Sequence, residues 1–237
     1  MMTLEKERHV LLAFPHPDDE AFTCAGVVRM YANMGVPVTY ACLTLGEMGR
    51  NLGNPPFATR ESLPEIRRIE LKAAAEAMGI SDLRMLGFRD KTIEFEDDEK
   101  MVQLMAGFIE ELNPSLIITF MPGFAVHPDH EATARAVVEA VRRMPKGTRP
   151  KIWACAFAND TVEKNGEAHI TVDITKVKHD KVAALRAHAS QTAWMIAETE
   201  KRIDEGQPMS ESWLSVEKFY VIQHADEIEH SIDSAFL

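Results

Sequence analysis

The chain has 237 residues, of which 46% are hydrophobic and 27% are charged, a composition typical of a soluble globular protein with a substantial core. Its formal net charge of −11 argues against nucleic acid or an anionic membrane surface as the main partner, because both are negatively charged. Three cysteines without a CxxC pattern, together with the absence of a signal-peptide core and of any long apolar run, predict a cytoplasmic protein that does not enter a membrane.

Short apolar runs alternate with helix-like segments along the chain, and this alternation predicts parallel strands joined by helical crossovers. The predicted strands cover residues 10–14, 38–45, 83–86, 116–120, 152–157, 169–174 and 218–223. The predicted helices cover residues 20–33, 64–78, 100–112 and 129–143, and further helical segments follow between 176 and 202. Asn165 and Gly166 predict a turn between the fifth and sixth strands.

The segment 46–63 contains three glycines and two adjacent prolines and shows no regular period. A loop of this length inside a domain usually has a function, and this one leaves the predicted carboxyl end of the second strand. We therefore expect it to border a substrate cleft. No repeat, low-complexity tract or linker interrupts the chain, so we expect a single domain over residues 1–237 with a polar tail from about residue 225.

Two similar motifs follow predicted strands. His16-Pro17-Asp18-Asp19-Glu20 follows the first strand, and His127-Pro128-Asp129-His130 follows the fourth. In an open α/β sheet, ligands and reacting groups collect at the carboxyl ends of the strands. Histidine and aspartate are common zinc ligands, and a catalytic zinc site uses three of them and keeps one position open. The two motifs together predict a metal-dependent hydrolase.

We assign His16, Asp19 and His130 as the ligands of one zinc ion per chain, with Fe²⁺ as an alternative metal. Asp18 then remains beside the metal as a general base, and His127 is placed to stabilise an oxyanion or to protonate a leaving amine. A simpler interpretation makes the aspartates helix caps and the histidines surface residues.

The motifs also resemble those of the LmbE/PIG-L family of zinc-dependent N-acetylglucosaminyl deacetylases. Three further stretches resemble conserved parts of that family: Arg67-x-x-Glu70-Leu71, Leu86-Gly87-Phe88-Arg89-Asp90 and His188-x-Ser190-Gln191. The resemblance implies a Rossmann-like α/β fold and the same ligand, base and transition-state roles. It also implies that Arg67 contacts a substrate hydroxyl. Asp90 and His188 are expected to support the site or the substrate loop.

Within that family, residues 44–50 and 54–60 resemble the second type of bacillithiol-pathway deacetylase. This implies a small-molecule substrate, N-acetylglucosaminyl-malate, whose carboxylates we expect to meet Arg50 and Arg60, with Arg89 and Lys91 nearby. Some relatives carry a basic residue just before the second motif, where this chain has Val126. The alternatives are deacetylation of another amino sugar or small amide, a metal-dependent esterase or phosphoesterase, and a non-catalytic sugar-binding protein. The sequence leaves open whether the chain forms a homo-oligomer.

Overall fold

The computed structural model describes residues 2–204 and 212–222, and these form an α/β fold built on one mostly parallel sheet. The strands are β1 (Val10–Phe14), β2 (Val38–Cys42), β3 (Asp82–Met85), β4 (Leu116–Phe120), β5 (Lys151–Cys155), β6 (Ile170–Asp173) and β7 (Val216–Val221). Within the sheet they lie in the order β3-β2-β1-β4-β5-β7-β6. The first five in this order are parallel, and β7 pairs antiparallel with both of its neighbours.

Helices cover both faces of the sheet. They are α1 (Asp19–Thr23), α2 (Ala25–Asn33), α3 (Leu63–Met78), α4 (Asp98–Leu112), α5 (Pro128–Arg142), α6 (Thr161–Asn165), α7 (Lys178–Ala187), α8 (Ala189–Asp204) and α9 (Ser212–Ser215). Every residue of β1 is buried, because its alternate side chains enter two hydrophobic cores. One core lies under α2, α3 and α7, and the other lies under α4 and α5. None of the helices in the described residues has the length and apolar character that crossing a membrane requires.

Two predicted features are wrong in detail because distant parts of the chain determine them. The helix predicted over 20–33 is interrupted at Cys24, since the Glu217 carboxylate on β7 accepts the Gly26 and Val27 N–H groups at 2.9 and 2.8 Å and starts α2 there. The turn at Gly166 has the positive φ of 73° that favours glycine, but it follows the short helix α6. The strands on either side of it are not neighbours, because β7 lies between them.

The remaining predicted elements are present, with ends that shift by a few residues. The last strand begins at Val216 instead of 218, and the helical segment 176–202 is divided at His188 into α7 and α8. The predicted tail from about residue 225 lies outside the described residues. β1 is hydrogen-bonded to β2 on one side and to β4 on the other, so the strand order reverses direction around it. That reversal places the ligand crevice of an open α/β sheet beyond the ends of β1 and β4.

Candidate active site

The two motifs of the sequence lie together at this crevice. His16 follows the last residue of β1 by two positions, and the loop after β4 leads to His127 and the start of α5. Because β1 and β4 are parallel neighbours, their carboxyl ends bring both motifs to one edge of the sheet. The imidazole rings of His16 and His127 are 4.8 Å apart between centroids, and those of His127 and His130 are 5.0 Å apart.

Three side chains direct donor atoms at one point. His16 Nδ1 lies 3.1 Å from His130 Nε2, and the Asp19 carboxylate lies 3.6 Å from the first nitrogen and 3.4 Å from the second. Tetrahedral zinc with bonds of about 2.1 Å separates its ligand atoms by about 3.4 Å. The two nitrogens lie close to this spacing, and each has an Asp19 oxygen near it, Oδ2 at 3.6 Å from His16 and Oδ1 at 3.4 Å from His130. The three side chains are therefore placed to hold one ion.

Hydrogen bonds to the other ring nitrogens determine where the lone pairs of these histidines point. His16 Nε2 faces carboxylate oxygens of Asp90 at 3.1 Å and Asp129 at 3.2 Å, so it carries the proton of the neutral ring. His130 Nδ1 lies 3.1 Å from the Ala125 carbonyl oxygen and must donate to it. In the neutral rings an unprotonated nitrogen of each therefore faces the other at 3.1 Å, an arrangement that needs either a shared proton or a metal ion between them. Carboxylates bound to the remote nitrogen are a common feature of histidine metal ligands.

The charge around His16 also favours a cation. Burial lowers the pKa of His16, but its hydrogen bonds to the Asp129 and Asp90 carboxylates and the charge of Asp19 outweigh this effect and raise the pKa to about 10. Two other groupings of donors lie within 4.8 Å of one another: His16 with His127 and His130, and His16 with Asp90 and Asp129. In the second grouping the carboxylates already accept backbone N–H groups, from Met48 at 2.8 Å to Asp90 and from Lys91 at 2.7 Å to Asp129.

Asp18 occupies an unusual backbone conformation, with φ 100° and ψ −27°. Its side chain makes no capping bond to α1, and one of its carboxylate oxygens lies 3.1 Å from Arg67 Nη2. Burial raises the pKa of Asp18 to about 6, while the Arg67 guanidinium opposes the rise. Asp18 is thus a partly buried carboxylate that directly precedes Asp19 of the donor cluster (His16, Asp19 and His130), as a general base would be.

Arg67 is 3% exposed and lies beneath the two loops that form this part of the site. Its guanidinium donates to the carbonyl oxygens of Pro17 and Gly46, the latter at 3.0 Å, in addition to its ion pair with Asp18. A Cβ on Gly46 would lie 1.9 Å from Arg67 Nη1, and a Cβ on Gly49 would lie 2.9 Å from it. The two glycines therefore leave the space that the guanidinium fills. The contacts of Arg67 with the chain itself join the first motif to the loop after β2.

His127 is the N-cap of α5, and its ring Nδ1 accepts the Asp129 N–H at 3.1 Å. This bond places the proton of the neutral ring on Nε2. Burial lowers the pKa of His127, and the charges of His16 and His130 lower it further. The neutral ring can therefore donate a hydrogen bond from Nε2 to a group in the site.

Capping does not account for the aspartates of the two motifs. In the second motif the cap is His127, and the buried Asp129 carboxylate instead accepts the Ile93 and Lys91 N–H groups and faces His16. From the sequence, Asp129 was given only a capping role. Its position inside the second motif was the signal that it could belong to the site. Asp90 is also buried. It connects His16 to Met48, which lies in the loop after β2 (residues 46–63), called the substrate loop below.

The turn between α7 and α8 is hydrogen-bonded to two buried glutamates near the site, Glu20 and Glu70. His188 Nε2 donates to Glu20 at 2.6 Å, and the Glu70 carboxylate accepts the Ser190 N–H and hydroxyl, both at 2.7 Å. The Ser190 carbonyl oxygen accepts the Leu52 N–H at 2.7 Å. Glu70 was assigned no role from the sequence, although it belongs to a stretch that resembles the family. Burial lowers the pKa of His188, but the Glu20 carboxylate outweighs it and the net shift is upward.

The predicted substrate-binding arginines are exposed. Arg50 lies in the substrate loop, where its carbonyl oxygen accepts from Gln191 Nε2 at 2.8 Å. Arg60 contacts Met48 Sδ at 3.0 Å. Val126, the residue before the second motif, is 71% exposed and has a φ of 69°.

Comparison with known proteins gives the same family that the motifs resemble. The model of the PIG-L family, described as GlcNAc-PI de-N-acetylase, matches residues 11–141, which is more than half of the chain. The probable N-acetyl-alpha-D-glucosaminyl L-malate deacetylase 2 of Bacillus anthracis is 48% identical over 224 residues, which cover 94% of this chain and 99% of the relative. The protein with the same description from Bacillus cereus is 52% identical over 214 residues, which cover 90% of this chain and 97% of that relative.

Solved structures share the fold at lower identity. N,N'-diacetylchitobiose deacetylase from Pyrococcus horikoshii has a TM-score of 0.69 and 23% identity, and the match covers 92% of this chain and 85% of that protein. The 4-carboxy-2-hydroxymuconate hydratase from Pseudomonas putida has a TM-score of 0.68 and 19% identity, with 90% and 95% covered. The same fold therefore occurs in proteins with different reactions, and these two likenesses establish the fold alone. By its match to the family model and by its identity to full-length relatives, the chain belongs to the PIG-L family.

Proposed function

We propose that this protein is a zinc-dependent hydrolase that removes the N-acetyl group from an N-acetylglucosaminyl conjugate, and that the conjugate is N-acetylglucosaminyl-malate of bacillithiol biosynthesis. The proposal depends above all on one observation: His16 Nδ1, His130 Nε2 and the Asp19 carboxylate oxygens converge at 3.1–3.6 Å. The two Bacillus relatives, which are similar over nearly their whole length and described as probable deacetylases of this conjugate, support the choice of reaction and substrate.

In this proposal His16, Asp19 and His130 hold one ion per chain. Zinc suits a set of two imidazoles and one carboxylate, and Fe²⁺ can occupy the same set. A zinc ion held there would supply Lewis-acid polarisation of a water molecule and of the amide carbonyl group. Asp90 and Asp129 keep the remote nitrogen of His16 protonated and so direct its other nitrogen into the site.

Asp18 is the proposed general base. Its carboxylate takes a proton from the attacking water and returns it to the amide nitrogen, so that acetate and a free amine leave. The Arg67 ion pair holds this carboxylate beside the donor cluster and opposes the effect of burial on its pKa.

His127 is the proposed donor to the oxyanion. Because its Nδ1 accepts the Asp129 N–H, the only proton of the neutral ring is on Nε2. A general acid would need protons on both nitrogens and would lose that bond. The bond therefore favours stabilisation of the developing negative charge over protonation of the leaving amine.

Exposed cations support an anionic substituent on the sugar. Arg89 and Lys91 are exposed on either side of Asp90, and Arg60 contacts Met48, whose N–H also binds Asp90. Two of these residues are thus the chain neighbours of Asp90, and the third contacts a residue that is hydrogen-bonded to it. The two carboxylates of malate suit the forked donors of arginine. Three buried thiols outside any disulfide support a reducing cytoplasm as the expected compartment.

The test is an assay for new primary amine. Zinc-loaded protein is incubated with N-acetylglucosaminyl-malate and, separately, with free N-acetylglucosamine. We expect release of amine from both substrates. The kcat/KM for the malate conjugate should be well above that for free N-acetylglucosamine, because binding of the malate group helps to hold the acetamide in the site. No amine from either substrate would overturn the proposal, and hydrolysis of esters alone would indicate an esterase.

Two substitutions test the role of the malate group. Arg50→Ala and Arg60→Ala should each lower kcat/KM for the malate conjugate and leave the value for the free sugar nearly unchanged. Arg143→Ala removes the same charge beyond the far end of α5, where Arg143 pairs with Glu99 and Glu139, and serves as the control. Equal efficiency on the two substrates would exclude recognition of an anionic group while leaving the deacetylase reaction in place.

A further inference from the structure

A buried pair of side chains, His188 and Glu20, connects the α7–α8 turn to the proposed base, Asp18. His188 and Glu20 are both fully buried, and they share the short hydrogen bond between Nε2 and Oε1. The second carboxylate oxygen of Glu20 accepts the N–H of Asp18 at 3.0 Å. The chain of contacts therefore runs from His188 through Glu20 to the backbone of Asp18.

The backbone at Asp18 needs such support. A φ of 100° is rare for a residue with a side chain, because this conformation is strained and persists only where the surrounding contacts hold it. The bond from the Asp18 N–H to Glu20 favours this conformation over an extended one, since an extended Asp18 would turn that N–H away. The conformation in turn determines where the Asp18 carboxylate lies relative to Arg67 and the donor cluster.

We infer that His188 is a positioning residue for the general base: it fixes the Glu20 carboxylate, which holds the Asp18 backbone in the left-handed conformation that the reaction requires. The inference rests on the proposed function, in which Asp18 is the base. The His188 side chain has no other hydrogen-bond partner in the described part of the chain, because its buried Nδ1 makes no bond there. Its contact with Glu20 is thus its main polar interaction.

The experiment compares His188→Leu with His188→Gln, which can still donate to Glu20. His179→Ala, on an exposed histidine of α7, is the matched control. Each zinc-loaded protein is assayed for metal content and for kcat and KM on N-acetylglucosaminyl-malate. We expect His188→Leu to keep its metal and its KM and to lose about 10- to 100-fold in kcat, since a displacement of about 1 Å at a reacting group has this effect. His188→Gln should recover most of the loss.

A double-mutant cycle separates positioning from general support of the fold. If His188 acts through Asp18, then His188→Leu should cause little further loss of kcat in an Asp18→Asn background. If the loss of kcat in the double variant equals the product of the two single losses, the inference is overturned. A loss of bound metal in His188→Leu that matches its loss of activity would also overturn it. If His188→Leu does not fold, the same cycle is run with Glu20→Ala, which removes the carboxylate through which His188 acts.

A second readout does not depend on deacetylation. Hydrogen exchange of a peptide that includes the Asp18 amide is measured in the wild type, His188→Leu and His179→Ala. We expect faster exchange only in His188→Leu, because the Glu20 carboxylate that protects the Asp18 N–H is then no longer fixed. Unchanged exchange would overturn the inference even in an active enzyme. Faster exchange in a protein without deacetylase activity would instead mean that the proposed function is wrong.

Discussion

Replacing Gly46 with alanine should damage the site through Arg67. Gly46 has a φ of 60°, and an added Cβ would lie 1.9 Å from Arg67 Nη1. The backbone conformation alone costs alanine about 1–2 kcal/mol. The clash must also displace a guanidinium that donates to Gly46 and Pro17 and pairs with Asp18. Loss of one such charged hydrogen bond adds about 1.5–3 kcal/mol. The expected total loss of unfolding free energy is therefore about 2.5–5 kcal/mol.

Gly35→Ala is the matched control, because Gly35 has a similar φ of 69° and no atom within 4 Å of an added Cβ. Urea denaturation of both variants separates the cost of the backbone from the cost of displacing Arg67. We expect Gly46→Ala to lose at least about 1.5 kcal/mol more than Gly35→Ala and to lose kcat as well, since Asp18 loses its ion-pair partner. Equal stability losses and a normal kcat in Gly46→Ala would refute the packing of Arg67 described above.

Three further predictions concern the metal and its neighbours. His16→Ala, Asp19→Ala and His130→Ala should each lose most bound zinc, measured by elemental analysis after loading and desalting, whereas full occupancy in all three would reject them as ligands. Asp18→Asn should keep its zinc and lose at least about 100-fold in kcat, the scale of a positioned general base; normal turnover would exclude that role. His127→Ala should keep its zinc and lose about 100- to 1,000-fold in kcat, as expected for an oxyanion donor, and a change confined to KM would contradict this.

The parts of the fold that follow from local pattern could be predicted from the sequence. β1 and β4 are continuous apolar runs, and both have the predicted ends, Val10–Phe14 and Leu116–Phe120. The antiparallel insertion of β7 between β5 and β6 could not be predicted, because its pairing joins residues more than 40 positions apart. The break at Cys24 depends in the same way on Glu217, which comes from the far end of the chain.

The site shows the same division. The two motifs are short and follow parallel strands, so their proximity at one edge followed from fold class alone. The contacts among their side chains did not. Asp90 and Asp129 both contact the remote nitrogen of His16. Glu20 connects His188 to Asp18. Both sets of contacts depend on loops, whose paths cannot be read from a periodic sequence pattern. The family resemblance indicated that these stretches matter, and the structure shows what each of them touches.

The central claim is that the ion lies between the two motifs and not deeper among the carboxylates. Anomalous diffraction at the zinc edge from crystals of the zinc-loaded protein tests this most directly. We expect one anomalous-difference peak per chain, bonded at about 2.0–2.2 Å to His16 Nδ1, the Asp19 carboxylate and His130 Nε2. A peak bonded to His16 Nε2 between the carboxylates of Asp90 and Asp129 would contradict it.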